Sequence, residues 1–264
     1  MLKLENVWKT FNRGTVNEKI ALHGLNLEMK EGDFVTVIGG NGAGKSTMLN
    51  MIAGVFAVDS GKISIGGVDV TNLPEYKRAQ YIGRVFQDPM MGTAATMQIE
   101  ENLALAARRG KPRTLRVGIT SEDRAFYQEQ LKILGLGLEH RMTAKVGLLS
   151  GGQRQALTLL MATLQKPKLL LLDEHTAALD PKTAAKVPDA TQRIVEKDHL
   201  TTLMITHNMR DAIQYGNRLV MMYDGRIVVD VSGEEKKNLT VEHLLNLFSQ
   251  ASGSDEVSDK MVLG

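Results

Sequence analysis

Short apolar runs alternate with segments of helical spacing along much of this chain. The runs at 34–38 (FVTVI), 169–172 (LLLL) and 202–205 (TLMI) are rich in aliphatic residues, and their lengths are typical of buried strands in a mostly parallel sheet. Segments with helical spacing follow the runs or lie between them, at 45–52, 152–164 and 182–196. The alternation predicts an α/β core.

The N-terminal part and the middle of the chain depart from this alternation. Residues 2–7 and 20–28 read as strands on either side of a polar turn at 12–17, which predicts an antiparallel β layer. Helix formers dominate between 88 and 149, as in IEENLALAARR and SEDRAFYQEQLKIL. We therefore expect a helical subdomain over residues 88–149.

The C-terminal part ends in a predicted hairpin and a predicted helix. Residues 219–231 are typical of two strands that turn at Asp224-Gly225, and residues 241–248 are amphipathic. The polar end SGSDEVSDK predicts a frayed tail. The resulting division of the chain is a core with β layer at 1–87 and 150–232, the inserted helical subdomain, and a C-terminal helix and tail at 233–264.

Composition narrows the environment of the protein. The chain has 264 residues, of which 43% are hydrophobic, so it can bury the core of one large domain. It contains no cysteine, which excludes disulfides and thiolate metal sites and fits a reducing cytoplasm. The start MLKLENVWKTF lacks a signal pattern, and no apolar run approaches the ~20 residues that span a bilayer, so we expect no segment to enter lipid.

The charge gives little support for a nucleic-acid partner. The formal net charge is +2, and the local basic run consists of Arg108, Arg109, Lys111, Arg113 and Arg116. A solvated loop is the favoured interpretation of this run, with a phosphate-binding patch as the alternative. We expect no nucleic acid among the partners.

A glycine-rich loop directly follows the strand FVTVI and opens a helix. It fits the pattern G-x4-G-K-S/T, and its residues are Gly39, Gly40, Asn41, Gly42, Ala43, Gly44, Lys45, Ser46 and Thr47. Glycines let successive backbone N–H groups point at phosphate oxygens, and the helix N-terminus adds its positive dipole end. Lys45 supplies a positive charge for the β- and γ-phosphates, and the Ser46 hydroxyl can ligate Mg2+. The pattern predicts a nucleotide site for ATP or GTP.

Two further strands end in polar residues that suit the same chemistry. The strand at 168–172 ends in Asp173-Glu174, and the strand at 202–206 is followed by His207. Parallel strands deliver their C-terminal ends to one edge of a sheet, so we expect these side chains beside the phosphate loop. Asp173 then suits Mg2+, Glu174 can orient or deprotonate the attacking water, and His207 can reach the γ-phosphate.

A second phosphate-binding device occurs at another helix start. Leu149-Ser150-Gly151-Gly152-Gln153 stands directly before a helix, and a serine with two glycines at such a position can bind phosphate. If this helix belongs to the inserted subdomain, its end and the phosphate loop cannot easily converge within one chain. The pattern therefore predicts a head-to-tail homodimer that buries two ATP molecules, each between Lys45 of one chain and Ser150 of the other.

With these motifs in order, the sequence resembles the ABC (ATP-binding cassette) ATPase family over nearly its whole length. Residues 39–47 resemble the Walker A loop of that family, 149–153 its signature motif, 169–174 its Walker B strand and 178–180 its D-loop. The resemblance implies a P-loop fold of ABC type. It also implies a peripheral location on the cytoplasmic face of the membrane, held there by transmembrane permease subunits.

The same resemblance implies roles for single residues. Gln87 is similar to the glutamine that joins core to helical subdomain, ligates Mg2+ and reports on the permease, and His207 is similar to the switch histidine. Phe11 takes the place of the aromatic residue that stacks on adenine, with Trp8 as the alternative. For the catalytic set, the resemblance indicates Glu174, His207, Lys45 and Gln87. Residues after Gln87, roughly 88–101, are implied to receive a cytoplasmic helix of the permease, and Met90, Met91 and Met97 suit either that groove or a core.

One departure from the family is visible next to Glu174. The family commonly has proline there, whereas this chain has His175, and we expect hydrolysis to survive with altered loop stiffness. The wording DEHTAALDPKTA resembles an importer subgroup whose permeases are similar to those for branched-chain amino acids. Members of that subgroup pair with binding proteins for tryptophan or tyrosine, which implies a substrate-binding protein in this system.

Three alternatives to a small-molecule importer stay open from the sequence. The first is the separate ATPase of an ABC exporter. The second is an ABC ATPase that acts on nucleic acid, which the short spacing between Lys45 and Ser150 and the single cassette disfavour. The third is a catalytically silent nucleotide binder, which the intact Lys45, Glu174, Ser150 and His207 disfavour.

Overall fold

The structure, a computed structural model, describes residues 1–111, 118–174 and 186–252, without the side chains of 186, 251 and 252. The strands are β1 (Leu2–Phe11), β2 (Lys19–Met29), β3 (Phe34–Gly39), β4 (Ser60–Ile65), β5 (Val68–Asp69), β6 (Ile82–Val85), β7 (Leu169–Asp173), β8 (Thr201–Ile205), β9 (Arg218–Tyr223) and β10 (Arg226–Ser232). The helices are α1 (Lys45–Ala53), α2 (Glu75–Arg78), α3 (Ile99–Ala107), α4 (Ser121–Lys132), α5 (Gly151–Thr163), α6 (Lys186–Asp198), α7 (Met209–Gln214), α8 (Gly233–Lys237) and α9 (Val241–Ser252), with 3-10 turns at Leu138–His140 and Val146–Leu148.

The chain folds as two compact units. The first unit contains Met1–Tyr81 and the described residues from Leu200 onward, and the second contains the described residues of Ile82–His199. Both combine strands with helices, so the predicted α/β class is confirmed. The division at 87/88 and 149/150 that the sequence suggested stays a prediction.

An antiparallel layer forms at the N-terminal end of the first unit, as predicted. Its strand order is β2-β1-β4-β5, and β1 pairs antiparallel with both β2 and β4. Leu2 and Leu4 are buried at alternate positions of β1, the period of a half-buried strand, and a register irregularity between Leu4 and Val7 precedes the next buried residue, Val7. Gly61 in β4 permits the close approach of β1, because a Cβ there would lie 2.3 Å from the carbonyl oxygen of Asn6.

A parallel arrangement forms the rest of the first unit. Strand β3 lies between β8 and β9 and pairs parallel with both, while β10 pairs antiparallel with β9. All five residues of FVTVI are buried, which explains why this run is continuously apolar rather than alternating. The predicted hairpin is confirmed, and its apolar face packs against α7 and α9 through residues such as Met221, Val229, Leu244 and Phe248.

The second unit pairs β6 parallel with β7 and packs α5 close to β6. Gly83 permits this approach, since a Cβ there would lie 2.4 Å from the carbonyl oxygen of Ala162. Helices α3 and α4 confirm the helical character predicted for the middle of the chain.

Strands β4, β5 and β6 were not predicted, because they are short and their apolar positions are too few to show a period.

Candidate functional site

The phosphate loop curls around the ammonium group of Lys45. Gly39, Gly42 and Gly44 have φ of 152°, 82° and 98°, a region that L side chains rarely adopt. The Lys45 Nζ donates to the carbonyl oxygens of Gly39, at 2.6 Å, and Gly40, at 3.1 Å. Asn41, Gly42 and Ser46 are exposed, and Ser46 is the second residue of α1. The loop thus presents backbone and hydroxyl groups to solvent, while the carbonyls of Gly39 and Gly40 hold the ammonium of its lysine.

The turn of the β9–β10 hairpin holds the loop in this shape. The N–H of Gly225 donates to the carbonyl of Ala43 at 3.1 Å, and the carbonyl of Gly225 accepts from the N–H of His23 at 3.1 Å. Any Cβ on Gly44 would lie 3.3 Å from the Cα of Gly225 and 2.7 Å from the carbonyl oxygen of Ala21. The glycine at the hairpin turn therefore supports the nucleotide loop, a role that the local hairpin signal did not reveal.

Arg78 holds the other end of the helix that the loop opens. The side chain is 2% exposed, and its guanidinium donates to the carbonyls of Met51 and Ile52 in the last turn of α1, at 2.7 and 2.9 Å. It also donates to the carbonyls of Leu73 and Thr71. Burial lowers the pKa of Arg78, and the charge of Asp69 opposes this effect. A cation at a helix C-terminus satisfies carbonyls that lack partners in the helix and matches the negative end of its dipole.

The two aromatic candidates for adenine stacking differ in their surroundings. Phe11 ends β1 and is half-buried, with the Phe56 ring edge-on at 5.4 Å and the Lys9 ammonium at 5.5 Å. Trp8 donates its indole N–H to the Oδ1 atom of Asn6 at 3.0 Å and packs on His23. The indole N–H thus already has a local hydrogen-bond partner, whereas Phe11 is the last residue of β1, directly before the polar turn.

His207 is exposed two residues after β8 ends, in a short turn that fixes its place. The N–H of Asn208 donates to the Thr206 hydroxyl at 3.1 Å, and the Asn208 side chain caps α7. Asp211, in the first turn of α7, is half-buried; burial raises its pKa, and the neighbouring His207 opposes the shift. Asp211 was not predicted from the sequence, although an acidic residue in the first turn of the helix after His207 was a signal that could have found it.

In the second unit, Gln87 and Glu174 are brought together. The amide Nε2 of Gln87 donates to the carboxylate Oε2 of Glu174 at 3.1 Å. Asp173, the last residue of β7, lies 3.7 Å from the guanidinium of Arg84, which also covers the ring of Phe86 at 4.6 Å. Arg84 was not predicted, and it places a positive charge beside Asp173.

Glu174 adopts a left-handed backbone conformation, with φ of 42°. For a non-glycine residue this conformation costs about 1 kcal/mol or more, and such residues concentrate at functional sites. A proline at the next position would push Glu174 toward extended conformations. His175 lies outside the described residues, as does the predicted D-loop at 178–180.

Ser150 begins α5 in a capping box. Its Oγ accepts the N–H of Gln153 at 3.3 Å, and the Gln153 side chain accepts the N–H of Ser150 at 3.2 Å. Ser150 and Gly151 are exposed, whereas Gly152 is buried. The capping box does not use the hydroxyl hydrogen of Ser150, and the binding of phosphate by this serine stays a prediction.

Arg154 and Gln155 support this helix start and were missed by the sequence reasoning. Arg154 donates to the carbonyls of Val146, Gly147 and Leu149 and to the sulfur of Met90. Gln155 is fully buried and donates to the carbonyl of Phe86 at 3.1 Å, and its Oε1 has no partner among the described residues. These contacts connect α5 with the residues on either side of Gln87.

The structure corrects two smaller expectations. Met90 and Met91 are 46% and 70% exposed, so the alternative that they pack in a core is wrong. Arg109 is not a solvated residue of the basic run: it donates to the carbonyl of Ala162 at 3.0 Å, and burial lowers its pKa. Arg113 and Arg116 lie outside the described residues.

The phosphate loop, Phe11 and His207 thus belong to the first unit, and Gln87, Asp173, Glu174 and Ser150 to the second. The expected meeting of the carboxylates with the loop stays a prediction. No helix in the described part of the chain is long and apolar enough to cross a membrane. Residues 1–111, 118–174 and 186–252 also contain no cluster of three or more His, Asp or Glu side chains that could hold a metal ion.

Comparisons with known proteins agree on one family. A family model described as "ABC transporter" matches residues 22–177. The chain is 45% identical over 251 residues to the tyrosine transport ATP-binding protein of Clostridioides difficile, covering 95% of this chain and 100% of that protein. It is 32% identical over 271 residues to the spermidine/putrescine import ATP-binding protein of Haemophilus influenzae, covering 100% of this chain and 68% of that protein.

Solved structures show the same likeness. A dimeric post-hydrolysis state of an ATP-binding cassette, bound to ADP and phosphate, superimposes with a TM-score of 0.75 at 33% identity. The superposition covers 88% of this chain and 98% of that one.

Proposed function

This chain belongs to the ABC transporter family as an ATP-binding and ATP-hydrolysing subunit, and we propose that it powers the import of a small amino-acid-like solute. The observation that carries the proposal is the similarity to a tyrosine transport ATP-binding protein over the whole length of that relative. A separate permease forms the path through the membrane, and a substrate-binding protein delivers the solute. The chain accordingly works at the cytoplasmic face of the membrane.

The first unit binds the nucleotide through the loop and Phe11. The Phe11 ring stacks on adenine, and the backbone N–H groups of 39–47 bind the phosphate oxygens. Lys45 places its charge against the β- and γ-phosphates. Its hold on the carbonyls of Gly39 and Gly40 keeps the ammonium inside the loop, so little reorganisation is needed on binding.

Glu174 and His207 act on the attacking water. Glu174 orients the water and accepts its proton, while His207 donates a hydrogen bond toward the γ-phosphate. The hydrogen bond from Gln87 fixes the direction of the Glu174 carboxylate. The hydrogen bond from the N–H of Asn208 to the Thr206 hydroxyl stabilises the turn that carries His207.

The donor set fits a magnesium ion. Ser46, Gln87 and Asp173 offer hydroxyl, amide and carboxylate oxygens, the ligand types that Mg2+ prefers, with water completing the shell. When bound there, Mg2+ would neutralise charge on the phosphate oxygens. The guanidinium of Arg84, 3.7 Å from Asp173, keeps that carboxylate in place.

A second copy of the chain completes the site in a head-to-tail dimer. Ser150 of one copy binds the γ-phosphate held by Lys45 of the other, through its hydroxyl and the N-terminus of α5. Gln87 transmits the closure to the residues that follow it. The exposed Met90 and Met91 contact the permease there.

Replacing Glu174 with glutamine tests the enzyme and the dimer together. We expect ATP turnover of Glu174→Gln to fall by at least about a hundredfold, because the amide cannot take the proton. ATP binding should persist, and dimers should accumulate with ATP in size-exclusion chromatography with light scattering. An exposed control, Glu235→Gln, should behave as the original chain. Turnover that survives Glu174→Gln would contradict the assignment.

Cysteine cross-linking tests the partner arrangement. The chain contains no cysteine, so Ser150→Cys and Asn41→Cys would introduce the single thiol of each variant. In a mixture of the two variants that also carry Glu174→Gln, we expect ATP-dependent disulfides between different chains. A double variant that instead forms the disulfide within one chain would refute the head-to-tail site.

A further inference from the structure

Lys19 stands on the same face of the antiparallel layer as Phe11. The two residues are directly paired in the β1–β2 ladder. Directly opposed residues on antiparallel strands project their side chains to the same face, with Cβ atoms about 5 Å apart. The Cβ atom of Lys19 therefore lies beside the Phe11 ring, on which we propose that adenine stacks.

The ammonium of Lys19 reaches the phosphate loop. Its Nζ lies 3.4 Å from the point that a Cβ on Gly42 would occupy, and Gly42 is exposed in the middle of the loop. The side chain thus spans from the base-binding ring to the loop. A nucleotide with adenine on Phe11 and phosphates in the loop has to cover the same distance.

Among the residues that the structure describes, no carboxylate forms an ion pair with Lys19. The contrast is Lys9, whose ammonium also lies near Phe11 but donates to Asp59 at 3.1 Å and to the carbonyl of Ala57. Glu18, next to Lys19, accepts the N–H of Gly14 within the turn. A hydrated point charge on a flexible stem is well suited to phosphate oxygens.

We propose that Lys19 is a further nucleotide-binding residue, whose ammonium contacts the polyphosphate of the bound nucleoside di- or triphosphate on the side of Phe11. The inference rests on the proposed placement of ATP between Phe11 and the loop. Both ATP and ADP present the contacted charge, so the residue raises affinity for both. The G-x4-G-K-S/T pattern does not include it, because Lys19 is distant in sequence from the loop.

Affinities of three variants test the inference. Lys19→Met removes the charge and keeps the stem, Lys19→Arg keeps the charge, and Lys30→Met removes an exposed charge elsewhere on the same unit. The dissociation constants of ATP and ADP are measured by isothermal titration calorimetry at low and moderate salt. We expect Lys19→Met to weaken both nucleotides about three- to tenfold at low salt and less at moderate salt. Lys19→Arg should retain most of the affinity, and Lys30→Met all of it.

Two results would overturn the inference. One is unchanged affinity in Lys19→Met, and the other is a loss that Lys19→Arg shares in full, which would indicate a packing role. Lys45→Ala serves as the reference for the site itself. If Lys45→Ala abolishes binding while Lys19→Met has no effect, the inference fails and the proposed function stands. If neither variant changes binding, the proposed nucleotide site fails with it.

Discussion

Buried cations of this chain are satisfied by backbone carbonyls. Lys45, Arg78 and Lys236 are 7%, 2% and 3% exposed, and each donates to two or more carbonyl oxygens. Lys236 in α8 donates to Tyr215 and Gly216 at the end of α7. Such a side chain ties a helix end to its neighbours, but its charge is removed from water at a cost.

Lys236 predicts a pH dependence of stability. Burial lowers the pKa of its ammonium from 10.5 to about 8. Between those values the unfolded chain keeps a proton that the folded chain has released, so raising the pH favours the folded state. Relative to Lys236→Met, the original chain should gain roughly 2–3 kcal/mol in unfolding free energy between pH 7 and pH 10.

Urea unfolding of both proteins at several pH values measures this difference. The exposed neighbour gives the control, because Lys237→Met should shift stability by the same amount at every pH. A difference between the original chain and Lys236→Met that stays constant from pH 7 to pH 10 would show that the ammonium remains charged throughout.

At the scale of elements, α1 is the helix on which the nucleotide site depends, and both of its ends are held. The hairpin turn at Gly225 supports its N-terminal loop, and Arg78 caps its last turn. A helix whose N-terminal N–H groups bind phosphate has to keep its axis fixed. Neither support is close to the loop in sequence.

Removing the cap should destabilise the first unit. Arg78→Met keeps much of the apolar stem but removes the guanidinium from the carbonyl of Ile52 and leaves the carbonyl of Met51 with only the N–H of Gly54. We therefore expect a loss of about 2–4 kcal/mol in unfolding free energy. Lys77→Met, exposed on the same short helix, should change stability by less than about 0.5 kcal/mol. Chemical denaturation measures the unfolding free energies of both variants. Equal values would show that Arg78 is not needed to hold α1.

At the scale of the whole molecule, the residues proposed for ATP occur in both compact units. Lys45 and His207 belong to the first, and Gln87 and Glu174 to the second. In the second unit, the contacts of Arg154 and Gln155 connect the start of α5 with the segment around Gln87. That segment carries the exposed Met91, where we propose that the permease docks.

A charge at Met91 should separate ATP hydrolysis from transport. Met91 is 70% exposed, so Met91→Glu should leave folding and nucleotide binding unchanged while lowering transport by the assembled complex about tenfold or more. Solute uptake and ATP turnover are measured in vesicles that contain the complex. Met91→Leu should retain transport, and Tyr76→Glu, an equally exposed site in the first unit, should leave it intact. Normal uptake with Met91→Glu would place the permease contact elsewhere.

The sequence by itself determined the elements whose signals are local. The run FVTVI, the glycines and lysine of 39–47, and Ser150 with its two glycines predicted a buried strand, a phosphate loop and a capped helix, because spacing and backbone conformation are encoded within a few residues. Strand β4 was not predicted from the sequence, because its apolar positions are too few to show a period. Tertiary structure decided the contacts between residues distant along the chain. Gly225 bonds to the phosphate loop, Arg78 caps the end of α1, Arg84 lies beside Asp173, and Lys19 lies beside Gly42. These contacts depend on which elements lie side by side in space: β1 with β2, the hairpin with the loop, α2 with α1, and β6 with β7. A pattern within a few residues does not encode that placement.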